Sequence, residues 1–331
     1  MKLNFKKLSI IGLAILGFMN SCSKEENEII PDLPSSIVIG TNASPEDVKE
    51  YKGFLYTSNF FTGAITRIRL SDLVTSSFVT APISPYTAGW GLNIVPSKNW
   101  LVSIANKPYD FNPANAVDQM GVVNAYNINT GALERTWNMP SKFVGNAIDV
   151  DNTGNIFVGD VGPDARIIKI DVATNVVSIW ADGTNFTDGG FGLGGMIFNK
   201  TNGFYYSQNK KLFYVAIKAD GTAATSLQVN TAGVEVDADG MTWAGNNSIF
   251  YNFNDVFVPG AQGITHKIVL SNATTGTDTN YQTGLRDCSG ICFSQYANKN
   301  YLFVCESQFG FAFGVDTGST TNPYTIKIYK Q

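Results

Sequence analysis

Glu46, Asn93, Asn146 and Asp239 are the side chains from which this 331-residue chain could most readily build chemistry. They belong to a set of six short, similar segments: Pro45-Glu46-Asp47-Val48, Gly89-Trp90-Gly91-Leu92-Asn93, Gly145-Asn146-Ala147, Leu193-Gly194-Gly195-Met196, Ala238-Asp239-Gly240-Met241 and Cys288-Ser289-Gly290-Ile291. Several other chemistries are excluded. The chain's one histidine, His266, falls mid-strand in Ile264-Thr265-His266-Lys267-Ile268, away from these segments. A Ser-His-Asp triad needs its histidine at the site beside an orienting acid, so His266 is expected at the surface of its strand instead. No Walker A, dinucleotide-binding or HExxH pattern occurs. The run 189–195 is Gly-rich, but no helix follows it to receive a phosphate, and it reads as a flexible approach to a strand.

These segments need elements to hold them, and the stretch 144–160 shows the unit. Ala147-Ile148-Asp149-Val150 leads into a turn at Asp151-Asn152-Thr153-Gly154, and Ile156-Phe157-Val158 follows. Two further short runs, 166–170 and 176–180, come after Gly/Pro- and Asn-containing turns. Short β-branched and aromatic runs punctuated in this way predict a four-stranded antiparallel meander. Its second strand recurs at Leu55, Leu101, Ile156, Phe204, Ile249 and Leu302, with separations of 46, 55, 48, 45 and 53 residues. Third strands recur at 65–70, 122–128, 166–170, 212–217, 265–270 and 325–329. The spacing is that of propeller blades, so the fold is expected to be all-β: a six-bladed β-propeller. The six chemistry-bearing segments then start the innermost strands and face the central channel. Little chain remains after the last third strand, so the sixth blade must borrow its outer strand. Ser36 to Gly40 is expected to supply it and close the ring.

Charged residues make up only 15% of the chain, while glycine numbers 32, a balance suited to many strands and tight turns. Residues 1–21 read as a signal peptide: Lys2, Lys6 and Lys7 precede an apolar run from Leu8 to Phe18 that is short for a bilayer. Met19-Asn20-Ser21-Cys22 resembles a lipobox, which makes Cys22 the expected site of lipidation and membrane anchoring. The acidic run Ser23-Lys24-Glu25-Glu26-Asn27-Glu28 cannot bury itself, so 22–34 is expected to be a flexible tether and 35–331 the propeller. It also resembles the export signal of Bacteroidetes-type lipoproteins, which implies an outer membrane lipoprotein exposed at the cell surface. Loss of Lys2, Lys6 and Lys7 takes the formal net charge from −4 to −7, which argues against nucleic acid as a partner. A monomer is expected.

Cys288, Cys292 and Cys305 have no zinc spacing. If the hairpin between 291 and 305 turns at Asn298-Lys299, Cys292 falls opposite Cys305; a disulfide and two free thiols are both open at this level. Three insertions follow second strands and should rim one channel mouth: 106–120 with Tyr109 and Phe111, 252–263 with Phe253 and Phe257, and 306–323 with Phe309, Phe311 and Phe313. Such aromatics either form a binding rim, with Tyr109, Phe309 and Phe311 as candidates, or bury themselves against the blade tops.

The Pro-Glu of blade one and the Asp-Gly-Met of blade five resemble the SMP-30/gluconolactonase/LRE-like propellers. Members hold one divalent cation, Ca²⁺ or Zn²⁺, in the channel and hydrolyse lactones or related esters. The resemblance implies Glu46 and Asp239 as metal ligands, Asp239 also as proton acceptor, and Asn146 as a substrate contact. The family's third ligand, an Asn in blade four, is replaced here by Gly194; Asn93, Asp47 or Asp287 could stand in. Two functions are therefore expected to compete. One is a ligand-binding module for a small molecule, glycan or protein at an aromatic-rimmed mouth, with Asn93 and Asn146 contributing. The other is a metal-dependent lactonase or esterase. In a pure binding module, Glu46 and Asp239 would be polar channel residues bonded to water and amides.

Overall fold

Six four-stranded antiparallel sheets make up the propeller; five run in sequence order from the channel outward, and the sixth takes the N-terminal strand as its outermost. The computed structural model describes residues 31–40, 43–80, 84–108, 120–188, 192–316 and 323–331, and Leu33–Gln331 forms one compact unit. The expected six-bladed β-propeller is what the sheets show. Its innermost strands are Pro45–Tyr51, Ala88–Val95, Gly145–Val150, Met196–Phe198, Met241–Trp243 and Cys288–Tyr296. Among the described residues no helix is long and apolar enough to cross a membrane.

The packing explains why second strands dominate the sequence signal. Each is covered on both faces by neighbouring blades, so it reads as a near-continuous apolar run. In Gly203–Gln208 all six residues are buried, as are all seven in Trp100–Asn106. Six apolar clusters fill the six gaps between blades; one joins Val102 and Ile104 to Val158 and Ile168, another joins Phe303 and Ile326 to Leu55 and Ile68. Each fully buried Leu, Ile or Phe contributes about 1.5–3 kcal/mol. Outermost strands face solvent and are faint in the sequence. Leu133–Asn138 buries one residue of six, and blade four's outer strand shrinks to Leu227–Gln228.

Ring closure follows the expected route. Ser36 pairs with Lys327, Ile37 with Ile326 and Gly40 with Tyr324, completing the sheet of the sixth blade. The Ser35 carbonyl accepts the Ile328 N–H, and the Leu33 N–H donates to the Tyr301 hydroxyl. The propeller's N-terminal strand thus starts on the face where the innermost strands end.

The cysteine register differs from expectation. The hairpin turns at Ala297-Asn298, both with positive φ (50° and 60°), as a two-residue β-turn requires. Tyr296 therefore pairs with Lys299 and Cys292 with Phe303, while Cys305 faces Ile326 on its other side. The two sulfurs are two positions out of step, and Cys288, Cys292 and Cys305 are all buried free thiols.

His266 is also not at the surface: it is 8% exposed. Its strand, Gly263–Asn272, is covered by an unusually long outer strand, Thr275–Leu285. That strand supplies Asp278, whose Oδ1 lies 3.0 Å from His266 Nδ1. The Tyr251 hydroxyl donates to Asp278 Oδ2 at 2.6 Å, and its ring stacks on the imidazole at 4.7 Å.

Candidate functional site

Backbones come unusually close around the channel, which is why the inner segments carry glycine. A Cβ on Gly290 would sit 2.3 Å from the Asp47 Cα of the next blade. At Gly194 a Cβ would sit 2.4 Å from the Ala238 oxygen and 2.5 Å from Ser207 Oγ. Blade four therefore has no room for an amide side chain where the resemblance would want one: the main chain itself closes that position.

At the end where the inner strands begin, a small cavity of about 30 Å³ is lined by Glu46, Asp47, Lys49, Asn93, Asn146 and Asp239, with apolar Ile148 and Met241. That is space for one water-sized group. Glu46 is 5% exposed, and no described residue donates a hydrogen bond to its carboxyl. Its pKa is held well above the usual carboxylate range, first by burial, then by the charges of Asp239 and Asp47, against a smaller opposing pull from Lys49. Asn254 Nδ2 donates to Asp239 Oδ2 at 2.8 Å. Loss of solvent is the main reason its pKa is pushed up to about 6; Asp47 and Asp237 add to that, while hydrogen bonds from Asn254 and Asn146 oppose it. Protonated and ionised carboxyls can thus coexist here near neutral pH.

Above the cavity, and sharing Asn146 and Asp239 with it, opens a mouth pocket of about 400 Å³ lined by Trp90, Asp237, Asn254, Asp255, Val256 and Phe257. Burial raises the Asp237 pKa as well, with Lys210 opposing. The aromatic rim divides. Phe309, in the short helix Phe309–Ala312, is 5% exposed and packs on Phe60 (4.9 Å) and Phe313 (5.5 Å), so it supports the rim from beneath. Phe311 is half-buried. Phe257 is 62% exposed and Phe61 48%. Tyr109 and Cys22 lie outside the described residues.

The remaining candidates have other partners. Asn93 lines the cavity, but its Nδ2 donates to the Ile148 carbonyl (3.1 Å) and to Asp149 Oδ1 (2.8 Å), while its Oδ1 accepts the Ile94 N–H. Asp47 accepts the Leu92 N–H at 2.8 Å and pairs with Lys49 at 3.0 Å. Asp287 accepts the Gly310 N–H at 2.9 Å. Among the described residues no group of three or more His, Cys, Asp or Glu could hold a metal ion. The structure brings Glu46, Asp239 and Asn146 together around one cavity. Sequence reasoning missed Asp237, Asn254 and Asp255. The alternation Asp237-Ala238-Asp239 was the available signal, since residues two apart point the same way along extended chain.

No family model matches the sequence, and no curated protein matches it. Solved structures do. The major allergen Mala s 1 of Malassezia sympodialis is similar at a TM-score of 0.66 and 13% identity, covering 90% of this chain and 96% of that one. A regucalcin from Agrobacterium tumefaciens str. C58, described as a calcium-binding protein, aligns at 0.60 and 11%, covering 90% and 94%. A luciferin-regenerating enzyme aligns at 0.57 and 10%, covering 89% and 92%. At such identities the likeness establishes the propeller fold.

Proposed function

We propose that this chain is an outer-membrane lipoprotein, anchored through Cys22, whose propeller binds a small molecule, glycan or protein at the channel mouth. The observation that carries the binding role is the mouth pocket itself: about 400 Å³, walled by Trp90 and Phe257 and floored by Asp239 and Asn146. Concave sites of this size with convergent polar groups are the usual form of a small-ligand site. The test is a thermal-shift screen of arrayed metabolites and oligosaccharides on the full-length protein in mild detergent, repeated with Trp90→Ala. A hit that Trp90→Ala abolishes supports the mouth; hits indifferent to it would move the site elsewhere. The anchor is tested separately by radiolabelled palmitate incorporation, which Cys22→Ala should eliminate.

A second reading, a divalent-metal-dependent lactonase or esterase, is favoured by one observation: Glu46 and Asp239 share a cavity the size of a single ion. Glu46, Asp239 and the Asn146 oxygen would hold the cation, with the rest of its six or more oxygens supplied by carbonyls and water. Such an ion supplies Lewis-acid polarisation of an ester carbonyl. The similarity to a propeller described as calcium-binding supports this reading, while the closed position at Gly194 weakens the donor set. Calorimetric titration with Ca²⁺ and Zn²⁺ decides it.

A further inference from the structure

Most buried carboxylates of this propeller have a cationic or donor partner. Asp160 is held by Arg166 at 2.6 Å, Glu306 by Arg286 and Lys327, Asp278 by Tyr251 and His266, and Asp47 by Lys49. Among the described residues, four carboxyls at the mouth and in the cavity beneath it form no ion pair: Glu46, Asp237, Asp239 and Asp255. No described lysine or arginine lines the mouth pocket, and the one lysine lining the cavity, Lys49, is engaged by Asp47 at 3.0 Å. Glu46 is 5% exposed, borders the cavity and receives no hydrogen bond from any described residue. Its carboxyl is therefore available to a donor that enters the cavity.

We propose that the mouth takes a ligand bearing a primary ammonium group, with the ammonium in the Glu46–Asp239 cavity and an apolar or aromatic body against Trp90 and Phe257. This rests on the binding role assigned to the mouth. The cavity, about 30 Å³, matches the size of one –NH₃⁺ group. The polar side chains that line it include the carboxyls of Glu46 and Asp239 and the amide of Asn146. Asp239 Oδ2 is occupied by Asn254. Above it, Trp90 and the exposed Phe257 offer ring faces to a cation or to an apolar body. Asp237 and Asp255 at the rim add a field that draws cations in. An anionic ligand would place like charges together, and a neutral one would lack the charge that Glu46 and Asp239 offset.

Calorimetry on the full-length protein in mild detergent tests this with benzylamine hydrochloride, its neutral isostere benzyl alcohol, benzyltrimethylammonium chloride and CaCl₂. Benzylammonium should bind about tenfold or more tightly than benzyl alcohol, the scale of one charge-assisted hydrogen bond. Benzyltrimethylammonium, too wide for the cavity, should bind more weakly than benzylammonium. Glu46→Gln should weaken benzylammonium about tenfold, and the rim variant Asp237→Asn a few-fold. Equal affinity for benzylamine and benzyl alcohol would overturn the amine assignment and leave the mouth as a binding site. Stoichiometric Ca²⁺ binding with no response to the amine would make the cavity a metal site and overturn it too. Silence towards every probe also overturns it, and the ligand screen with Trp90→Ala then judges the mouth independently.

Discussion

Along the innermost strands, Asp47, Asn93 and Asp149 reach from one blade to the next, and Thr242 does the same between blades five and six. Asp47 takes the Leu92 N–H, Asn93 bonds Asp149, Asp149 takes the Phe198 N–H at 2.7 Å, and Thr242 takes the Phe293 N–H at 3.0 Å. Beside them, the Glu46 carboxyl receives no hydrogen bond from any described residue, and Asp239 is held only by the amides of Asn254 and Asn146. Both regions are lined with polar side chains and would look alike in a residue list. The difference is satisfaction: the first set is consumed in tying the ring together, and the second is kept available at some cost in stability. A carboxylate whose acceptors are all filled by its own fold has nothing to offer a ligand.

The largest test of this contrast is Asp149→Ala. It strands the Phe198 and Val150 N–H groups and the Asn93 amide in a buried place, and should cost about 3 kcal/mol or more in urea unfolding. A normal unfolding midpoint combined with lost ligand binding would break the contrast at its root. Next comes Asp239→Asn. The carboxyl titrates at about 6 when folded against 3.8 ordinarily. Between those values the native protein holds a proton that the unfolded chain has lost. Stability therefore falls as pH rises through that window, and Glu46 acts in the same direction. Asn carries no such penalty, so the variant should gain on the order of 2–3 kcal/mol over wild type at pH 7 and little at pH 4. Melting curves at the two pH values measure it, and a destabilised variant at pH 7 would place Asp239 among the structural carboxylates.

Phe257→Ala should sharpen the contrast from the ligand side. With its ring 62% exposed, the melting temperature should hold while affinity for a mouth ligand drops a few-fold. The smallest expected effect is none: reductant should leave the melting temperature unchanged, because Cys288, Cys292 and Cys305 are free thiols. A downward shift with dithiothreitol would restore the disulfide that the hairpin register removes.

Where sequence expectation and structure part company, the cause is tertiary in each instance. His266 lies in a polar-looking strand, and only the length of the outer strand that carries Asp278 over it makes it a buried residue. The cysteine hairpin was displaced by one residue, because Ala297 gives little hint that it adopts positive φ. Phe309 and Phe257 are equally aromatic; one lies beneath the rim and the other on it because a short helix folds the first inward.

The strand order, the six blades and the closing strand Ser36–Gly40 were determined by the sequence alone. Their information is local and repeated: apolar runs covered on both faces and turn residues at a steady period. The pairing of Glu46 with Asp239, the closure at Gly194 and the division of channel polar groups into tied and open sets were decided only by the tertiary structure. Those properties depend on which backbone N–H points at which carboxylate across a blade boundary, and on distances near 3 Å between residues some fifty to two hundred positions apart. No local pattern encodes that.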